Sequence, residues 1–482
     1  MVSPGQHRLP RLMLAAPSSG SGKTMVTTGV LAALTARGLI VSPHKVGPDY
    51  IDPGYHAAAC GRPGRNLDVH LVSPERIVPL LLHGAATPEP ADIAVVEGVM
   101  GLFDGALGRE GFASSAHVAA LTDTPVVLVV DCSATSRSVG ATVHGFATFD
   151  RQVGVAGVIL NKVASAGHEA EVRQAVRSAG IGAGAESRIE VVGAIPRIPD
   201  VVVPSRHLGL IPAAERTAEA TLAVEALAEM AEKYLDLDLM VSLARDASPL
   251  VGEPWSPAGA LVEAGAPPPP ADAPRPRIAV VSGAAFTFGY TETAELLEAA
   301  GAEVFGIDPL RDDALPPDTD ALLIPGGFPE VYAGQLAANT SMRESIREFA
   351  RGGGPVVGEC AGLLYLGESL DGAPMCGVLP TRGAMSERLT LGYPRATALA
   401  DSVLTHRGEV VTGHVFHRTR VEPLGAAADV RPAWRLGEWR GGVQDDGYVS
   451  ASGNVHASYL HTHWAGAPQM AARFVAAARG AR

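Results

Sequence analysis

Ala16-Pro17-Ser18-Ser19-Gly20-Ser21-Gly22-Lys23-Thr24 follows a short apolar run and precedes a stretch of helical character. A glycine-rich turn between a strand and a helix directs backbone N–H groups at a bound phosphate, and the helix dipole adds to the attraction. Lys23 is expected to reach the terminal phosphates of ATP, and the Thr24 hydroxyl to bind Mg²⁺. The stretch departs from the usual phosphate-loop pattern at its start, where Pro17 replaces glycine. The predicted ATP-binding residues of this loop are Gly20, Ser21, Gly22, Lys23 and Thr24.

Around this loop the chain alternates short apolar runs with helical stretches, a pattern typical of parallel sheets covered by helices. In the N-terminal half the predicted elements are Leu12–Ala16, Thr24–Arg37, Leu39–His44, Ile93–Val96, Pro125–Val130, Val155–Leu160 and Ala213–Tyr234. The alternation restarts downstream with Ile278–Val281, Thr291–Ala300, Ala321–Ile324, Met342–Arg351 and Pro355–Gly358.

Between the two alternations lies a proline-rich stretch, which is typical of a semi-stiff linker. We therefore predict an α/β protein with two doubly wound domains. The first, at 1–240, is expected to bind ATP, the second spans 277–482, and residues 241–276 join them.

Composition limits the classes of function. A chain of 482 residues is too long for one ordinary core, and its net charge of −13 argues against a general nucleic-acid binder. Apolar runs are shorter than a membrane span, and the N-terminus lacks the apolar core of a signal peptide. Four widely spaced cysteines fit a reducing compartment. We expect a cytoplasmic protein with neither nucleic acid nor membrane as a partner.

Acidic residues follow two of the predicted strands. Lys45–Pro53 follows the second strand and Glu97–Gly105 follows the third, so their acids are expected at the carboxyl edge of the sheet. Acids beside a phosphate loop can hold Mg²⁺ or orient a phosphoryl acceptor. Shaping of a proline-bounded turn is the alternative for Asp49 and Asp52. Asn161 ends a further strand and is predicted to contact adenine.

Lys45–Pro53 and Glu97–Gly105 together resemble the cobyrinic acid a,c-diamide synthase family, whose N-terminal domain is related to dethiobiotin synthetase, and the resemblance covers nearly the whole chain. It implies transfer of the ATP γ-phosphate to a side-chain carboxylate of a corrin precursor. The stretch Val99–Asp104 favours the a,c-diamide branch over the cobyric acid synthases. By motif position, the implied active-site acids are Asp49, Asp52, Glu97 and Asp104. The implied Mg²⁺ ligands are Thr24, Asp49 and Glu97, and the substrate-binding residues are Lys45 and Tyr50.

Gly358-Glu359-Cys360-Ala361-Gly362 forms a small-residue turn after a predicted strand. Such an elbow exposes a thiol at a helix N-terminus, which favours the thiolate. The motif resembles the nucleophile turn of class I glutamine amidotransferases. The resemblance implies that Cys360 attacks the side-chain amide of L-glutamine and releases ammonia.

The same resemblance assigns the other groups of the glutamine site. Pro325–Glu330 matches the oxyanion loop, with the N–H groups of Gly327 and Ala361 as the donors, and His461 matches the catalytic histidine. His463 stands where many class I enzymes carry glutamate, so we infer a Cys360–His461 dyad and leave open a third member.

Other residues of this half are less closely tied to the motif. His414 and His417 are expected near the site, whereas Gly283 and Gly289 depart from the family pattern. The remaining cysteines, which lack an elbow, are predicted to be inert; they are Cys60, Cys132 and Cys376.

The resulting hypothesis is ATP- and glutamine-dependent amidation of the a and c acetates of cobyrinate or hydrogenobyrinate in cobalamin biosynthesis, through an acyl phosphate. Cobyric acid synthase and nickel-sirohydrochlorin a,c-diamide synthase have the same construction and are alternatives. A P-loop switch ATPase fused to an inert amidotransferase-like domain is an alternative of another class. The sequence leaves open whether the corrin contains cobalt, the order of amidation, and the oligomeric state, a homodimer included.

Overall fold

The computed structural model describes residues 5–179, 189–198, 205–206, 209–215, 217–266, 269, 273–424, 430–439 and 442–481. By its contacts the chain divides into two units. The first comprises Met1–Val69 with Ser73–Trp255, and the second comprises His70–Val72 with Ser256–Arg482. In the ranges described, we find no helix with both the length and the apolar character needed to cross a bilayer.

The strands within these ranges follow one another in chain order. They are β1 (Gln6–His7), β2 (Arg11–Ala15), β3 (Val41–Val46), β4 (Arg65–Leu67), β5 (Ile93–Glu97), β6 (Val126–Asp131), β7 (Val155–Val163), β8 (Glu190–Pro196), β9 (Ser205–Arg206), β10 (Gly209–Leu210), β11 (Leu250–Val251), β12 (Arg277–Val281), β13 (Glu303–Ile307), β14 (Ala321–Ile324), β15 (Val356–Glu359), β16 (Ser369–Leu370), β17 (Ala373–Pro374), β18 (Thr381–Gly392), β19 (Arg395–Ala398), β20 (Val410–Thr412), β21 (Val415–Pro423), β22 (Val430–Trp439), β23 (Gly442–Ser450) and β24 (Val455–Ser458).

The helices alternate with these strands over much of the chain. They are α1 (Lys23–Ala36), α2 (Asp52–Cys60), α3 (Val69–Val72), α4 (Ile77–Ala86), α5 (Ser115–Leu121), α6 (Ser138–Phe149), α7 (Ala166–Ala179), α8 (Thr217–Tyr234), α9 (Leu237–Arg245), α10 (Pro257–Glu263), α11 (Thr291–Ala299), α12 (Ala333–Ala338), α13 (Thr340–Arg351), α14 (Ala361–Leu366) and α15 (Gln469–Gly480), with short 3₁₀ turns at Pro74–Arg76, Ala213–Glu215 and Trp464–Gly466.

The first unit is built on a parallel sheet. Its strand order is β4-β3-β5-β2-β6-β7-β8, and each neighbouring pair is parallel. Successive strands lie on both sides of β2, so the loop that follows β2 opens at the point where ligands bind in doubly wound sheets. The strands predicted in this half are confirmed, with ends shifted by at most three residues. The predicted helix at 213–234 begins instead at Thr217, after a 3₁₀ turn.

The second unit has a mixed sheet of order β13-β12-β14-β15-β24-β23-β22-β19-β20, and a separate sheet of order β17-β16-β18-β21. The five strands from β13 to β24 are parallel, and those predicted from the sequence all belong to this part. The antiparallel strands escaped prediction because they are half-exposed and contain charged residues, as Thr381–Gly392 does, and therefore resemble loops in sequence. The two predicted α/β domains are confirmed, the second with this antiparallel addition.

The range 241–276, predicted as a linker, contains regular structure. It holds the end of α9, the strand β11, which pairs with β1, and helix α10. Pro257 stands in the first turn of α10, where its missing N–H has no helical partner to lose, and Ser256 Oγ caps the helix by accepting from Gly259 N at 3.2 Å. The two units meet in sequence between Trp255 and Ser256, inside the predicted linker.

Candidate functional site

The phosphate loop lies between β2 and α1, and two of its glycines have left-handed backbone conformations. Gly20 has a φ of 81° and Gly22 a φ of 88°, which residues with side chains disfavour. A Cβ on Gly22 would also collide with the side-chain amide of Asn161. Inside the loop, Ser21 Oγ donates to the carbonyl of Ser18 at 2.9 Å. The loop therefore presents a defined backbone at the N-terminus of a helix, where anions bind.

Asn161 and Lys162 hold the same loop from β7. The Asn161 amide donates to the carbonyl of Ser21 at 2.9 Å, and Lys162 Nζ donates to the carbonyl of Gly20 at 3.1 Å. Lys162 is in turn fixed by Asp131, 2.6 Å away. Asn161 thus braces the loop, and its contact with adenine stays a prediction.

Next to Thr24, a buried cluster contains one lysine and two carboxylates. Lys45 Nζ lies 2.6 Å from Asp52 Oδ2 and 2.9 Å from Glu97 Oε1. Thr24 Oγ1 lies 2.7 Å from Glu97 Oε1 and 3.1 Å from Asp52 Oδ2. The parallel pairing of β3 with β5 sets Lys45 opposite Glu97, so the sheet register assembles groups that are far apart in sequence.

The two predicted substrate-binding residues, Lys45 and Tyr50, lie in different surroundings. Lys45 is 2% exposed and donates to both carboxylates of the cluster and to the carbonyl of Gly98 at 3.2 Å. Its ammonium group therefore neutralises buried acids in this structure. Tyr50 is half-buried in the turn after β3. Substrate contacts of both residues stay predictions.

Asp49 and Asp104 differ from the other predicted acids in their contacts. Asp49 Oδ1 accepts from the N–H groups of Ile51 at 2.8 Å and Asp52 at 3.1 Å, so that oxygen shapes the turn leading into α2. Asp104 is exposed, and its Oδ2 accepts from Gly101 N at 3.0 Å. Asp52, rather than Asp49, contacts the Thr24 hydroxyl.

His56 belongs to the cluster and was missed from the sequence. Its Nε2 lies 2.7 Å from Glu97 Oε2, and both side chains are fully buried. His56 is four residues after Asp52 on α2, and residues at that spacing share one helix face. This spacing is the sequence signal that could have identified it.

Charge explains the protonation of the cluster. Burial alone would raise the pKa of Glu97, but the Lys45 charge and the hydrogen bond with His56 outweigh it and hold the pKa below its ordinary value. Burial and the Asp49 charge raise the pKa of Asp52, which Lys45 opposes only in part. Burial is the main cause that lowers the pKa of Lys23, and the charge of Lys45 adds to it. Lys23 Nζ donates to Met100 O at 3.2 Å. Asp52 is therefore the acid of the cluster that gains a proton most easily.

The oxygen atoms around Thr24 fit a magnesium ion held jointly with phosphates. The Thr24 hydroxyl and the carboxylates of Asp52 and Glu97 converge within 3.1 Å of Thr24 Oγ1. Over the part of the chain that the structure describes, no three His, Cys, Asp or Glu side chains form a metal-binding group. Mg²⁺ typically takes one or two protein carboxylates and completes its shell with phosphate and water, so the small donor set suits it.

In the second unit, Cys360 stands at an elbow between β15 and α14. Its φ of 50° and ψ of −95° are unusual for a residue with a side chain. The turn is sterically tight, because a Cβ on Gly362 would collide with the carbonyl of Ile324. Cys360 N donates to the carbonyl of Ser458 at 2.7 Å, which ties the elbow to β24. Strain of this kind is typical of nucleophile turns.

His461 follows the neighbouring parallel strand, so it reaches the same sheet edge as Cys360. Residues of β15 pair in register with β24, Glu359 standing opposite Ser458. The backbone of His461 exchanges two hydrogen bonds with that of His414, at 2.8 and 2.9 Å. Its side chain is fully buried. The sheet therefore brings the predicted nucleophile and base to one edge.

The predicted oxyanion donors lie at this edge too. Ala361 N–H forms a hydrogen bond with the Cys360 sulfur. Gly327 follows β14, and a Cβ there would collide with the carbonyl of Ala285, so only glycine fits the turn. The role of both N–H groups as oxyanion donors stays a prediction.

Glu359 is a further residue of this site that the sequence motif did not single out. Its Oε2 lies 4.0 Å from His461 Nδ1. Its Oε1 accepts from Thr462 Oγ1 at 2.9 Å and from Thr462 N at 3.3 Å. Burial raises the pKa of Glu359 to about 7, although the hydrogen bonds of Thr462 oppose the shift. Only its place directly before Cys360 could have pointed to it.

His463 and the two upstream histidines occupy separate places around His461. His463 Nε2 lies 3.7 Å from Glu292 Oε2, and its ring stacks on Tyr290 with centroids 4.2 Å apart. His414 lies with its ring centroid 6.2 Å from that of His461. His417 stacks on Tyr459 with centroids 3.7 Å apart. His414 and His417 thus lie near the site, as the sequence predicts.

Burial keeps both members of the dyad neutral. It raises the pKa of the Cys360 thiol well above its ordinary range, with Glu330 adding to the shift and the Ala361 N–H opposing it. Burial, together with His414 and His417, lowers the pKa of His461 well below its ordinary value. Both groups are therefore neutral in the ground state, with Cys360 Sγ 3.8 Å from the carbonyl oxygen of Phe416. The thiol must lose its proton before it can react as a thiolate.

A cavity of about 500 Å³ lies next to the elbow. Its lining includes Leu363 of α14, Arg388 of β18, His417 of β21, Asp446 of β23 and Tyr459 after β24. Burial raises the pKa of Asp446 to about 6, and three backbone N–H donors oppose the shift. The volume suits a small ligand, and the lining offers both a cation and an anion.

The other cysteines differ from Cys360 in context. All four cysteines are free thiols. Burial raises the pKa of Cys60 to about 12, of Cys132 to about 11 and of Cys376 to about 12. Since burial raises the pKa of Cys360 as well, the raised pKa does not separate these three from the proposed nucleophile, and their inertness stays a prediction.

Comparison with protein families matches both units. Residues 12–211 match the CobQ/CobB/MinD/ParA nucleotide binding domain, and residues 277–469 match the CobB/CobQ-like glutamine amidotransferase domain. The phosphate loop falls inside the first of these ranges, and the cysteine elbow falls inside the second.

Curated relatives match over almost the whole chain. A hydrogenobyrinate a,c-diamide synthase of Streptomyces coelicolor is 54% identical over 97% of this chain and 97% of its own length. One of the same name from Thermobifida fusca is also 54% identical, with 97% of each chain covered. A cobyrinate a,c-diamide synthase of Gloeobacter violaceus is 42% identical over 96% of each chain.

Proposed function

The chain belongs to the family of hydrogenobyrinate and cobyrinate a,c-diamide synthases, and we propose that it amidates the a and c acetate side chains of a corrin precursor. The observation that carries this proposal is that one chain contains two arrangements of polar residues, one in each unit. A phosphate loop with its carboxylate cluster stands in the first unit, and a cysteine elbow with its histidine stands in the second. An ATP-dependent amidation that takes its nitrogen from glutamine needs both.

In the glutamine half, Cys360 gives its thiol proton to His461 and attacks the side-chain amide carbon of glutamine. The tetrahedral oxyanion is stabilised by the N–H groups of Gly327 and Ala361. Collapse forms a glutamyl thioester, and the imidazolium protonates the leaving nitrogen, which departs as ammonia. Water then hydrolyses the thioester and regenerates the thiol. The net reaction converts glutamine and water into glutamate and ammonia.

The cavity beside the elbow is the proposed place for glutamine. It contains Arg388 and Asp446, whose charges suit the α-carboxylate and the α-ammonium group of an amino acid. Leu363 and Tyr459 line the same space and can pack on the aliphatic part of the ligand. A volume of about 500 Å³ accommodates an amino acid.

In the ATP half, an acetate carboxylate of the corrin attacks the γ-phosphorus of ATP, which gives an acyl phosphate and ADP. Ammonia attacks the acyl carbon, inorganic phosphate leaves, a proton is lost, and an amide remains. Lys23 and the N–H groups of the loop neutralise the transferred phosphoryl group, as in other phosphate loops. The two steps occur once for each acetate.

The oxygen donors around Thr24 are the proposed holders of Mg²⁺. Thr24, Asp52 and Glu97 have the geometry for this role, and a bound Mg²⁺ would offset the negative charge of the phosphates. Lys45 supplies a second positive charge at the same carboxylates. Asp49 could contribute through Oδ2, which lies 3.8 Å from Lys45 Nζ.

The metal-free ring is the proposed substrate. Three relatives named for hydrogenobyrinate are 48–54% identical to this chain, whereas three named for cobyrinate are 37–42% identical. These relatives support hydrogenobyrinate over cobyrinate, and they support the a,c-diamide reaction over the other tetrapyrrole amidases and the switch ATPase.

Mass spectrometry of the turnover products tests the proposal. The purified protein is incubated with Mg²⁺, ATP and glutamine and either hydrogenobyrinic or cobyrinic acid. A product with two new amides, dependent on ATP and faster on the metal-free ring, is expected. Faster amidation of the cobalt ring would overturn the choice of ring, and amidation of neither ring would overturn the proposed reaction.

A further inference from the structure

We propose that Glu359, the residue directly before the nucleophile, is the positioning acid for His461. It replaces the carboxylate that many class I amidotransferases carry two residues after the catalytic histidine, where this chain has His463. The inference rests on the proposed glutamine reaction. It converts the Cys360–His461 dyad into a triad whose third member comes from the nucleophile strand.

The carboxylate of Glu359 is oriented by a short chain of hydrogen bonds. Trp464 Nε1 donates to Thr462 Oγ1 at 3.2 Å, and Thr462 Oγ1 donates to Glu359 Oε1 at 2.9 Å. Thr462 N supports the same oxygen at 3.3 Å. With Oε1 held in this way, Oε2 is the oxygen next to His461 Nδ1, at 4.0 Å.

The fold fixes the relative position of the two residues. Glu359 ends β15 and pairs in register with Ser458, three residues before His461. The backbone of His461 is held by its two hydrogen bonds with His414. A carboxylate beside Nδ1 leaves Nε2 as the nitrogen that exchanges a proton with Cys360.

His463 cannot take the same part. Its Nε2 lies 3.7 Å from Glu292 Oε2 and its ring stacks on Tyr290. Its side chain is a base rather than an acid, so it offers no negative charge to a neighbouring imidazolium. Glu359 is thus the carboxylate that the geometry places at His461.

A negative charge at this point has a clear chemical purpose. When Cys360 transfers its proton, His461 becomes an imidazolium in a buried site. Burial, His414 and His417 each disfavour that positive charge. A carboxylate at Nδ1 stabilises that imidazolium and holds the ring in one tautomer. The charges of Glu330, Glu359 and Asp446 all raise the pKa of the Cys360 thiol. Glu359 therefore favours the ion pair only through the imidazolium of His461.

The proposal also predicts a pH dependence. Burial raises the pKa of Glu359 to about 7, so its carboxylate ionises as the pH rises through that range. Glutaminase kcat should increase over the same range, because only the ionised form supports the imidazolium. Asp446 has a pKa of about 6, so it ionises at a lower pH than Glu359 does.

Glu359→Gln is the principal test, since glutamine keeps an oxygen for Thr462 and loses the charge. The variant should lower glutaminase kcat by about 10²-fold, leave the KM for glutamine within about threefold, and abolish the rise near pH 7. Amidation driven by free ammonia should be unchanged. Glu344→Gln, on the exposed face of α13, is the matched control and should behave as wild type.

A Glu359→Gln enzyme with wild-type kcat and pH profile would overturn the proposal. Wild type without glutaminase activity would instead contradict the proposed function, so the two failures are distinguishable. Thr462→Val is a second variant, which keeps the charge and removes one orienting donor. It should lower kcat by several-fold while retaining the rise near pH 7, and an unchanged kcat would contradict the orienting role even if Glu359→Gln failed to fold.

Discussion

His56 Nε2 lies 2.7 Å from Glu97 Oε2 at a place where neither side chain reaches solvent. The other oxygen of Glu97 lies 2.9 Å from Lys45 Nζ and 2.7 Å from Thr24 Oγ1. Glu97 therefore links the start of α1 to α2 through one carboxylate. The ionised state of this residue depends on both partners.

Replacing His56 by glutamine should weaken the carboxylate cluster. A buried carboxylate oxygen that loses a hydrogen-bond partner costs about 1–3 kcal/mol. Glutamine can place its amide near the position of the imidazole Nε2, but its flexible side chain loses more entropy when it is fixed there, so it is expected to recover only part of this free energy. Thermal unfolding should occur at lower temperature, and ATP-dependent amidation should slow. The exposed His144→Gln is the matched control. An unfolding temperature and rate equal to wild type would show that His56 does not support Glu97.

Cys360→Ala should separate the two half-reactions. Glutaminase activity should fall by at least ~10³-fold, because the nucleophile is absent, whereas amidation with ammonium salts should stay within about threefold of wild type. Cys60→Ala, which changes a cysteine with a raised pKa, should keep both activities. Loss of ammonia-driven amidation in Cys360→Ala would contradict the assignment of separate sites.

Asp52→Asn and Asp49→Asn should differ in severity. Asp52 contacts both Thr24 and Lys45, so its loss should slow amidation by about 10²-fold with either nitrogen source. Asp49 Oδ1 caps the turn before α2, and an asparagine oxygen can still accept those hydrogen bonds. Asp49→Asn should therefore slow amidation by a smaller factor than Asp52→Asn. Initial rates at saturating ATP measure the difference. A larger fall in rate for Asp49→Asn than for Asp52→Asn would show that Asp49 is the more important acid.

Glu359→Gln should change how stability depends on pH. The pKa of Glu359 is raised from 4.5 to about 7 on folding, so the folded protein binds this proton more tightly and stability falls as pH rises from about 4.5 through about 7. The variant cannot ionise at this position. The free energy of unfolding of the variant relative to that of wild type should therefore rise between about pH 4.5 and about pH 7, by up to about 3 kcal/mol at ~1.4 kcal/mol per pKa unit. Parallel curves for the two proteins would contradict a raised pKa.

The local motifs were predictable because their function depends on backbone conformation. Gly20 and Gly22 mark a left-handed turn before a helix. Gly358 and Gly362 lie two residues before and after Cys360, where the elbow leaves no room for a Cβ. The strands near these turns followed from their apolar composition. The antiparallel strands of the second unit did not, since half-exposed strands such as β18 contain charged residues and resemble loops in sequence.

By itself the sequence determined the two turns and the α/β layers that carry them, and it predicted the nucleophile and its histidine. These features are local, since glycine, small residues and apolar runs restrict the chain within a few positions. Only the tertiary structure decided which acids meet which partners: Asp52 at Thr24, His56 at Glu97, and Glu359 at His461. Those pairs join elements that are distant in sequence, and strand register and helix packing set their distances.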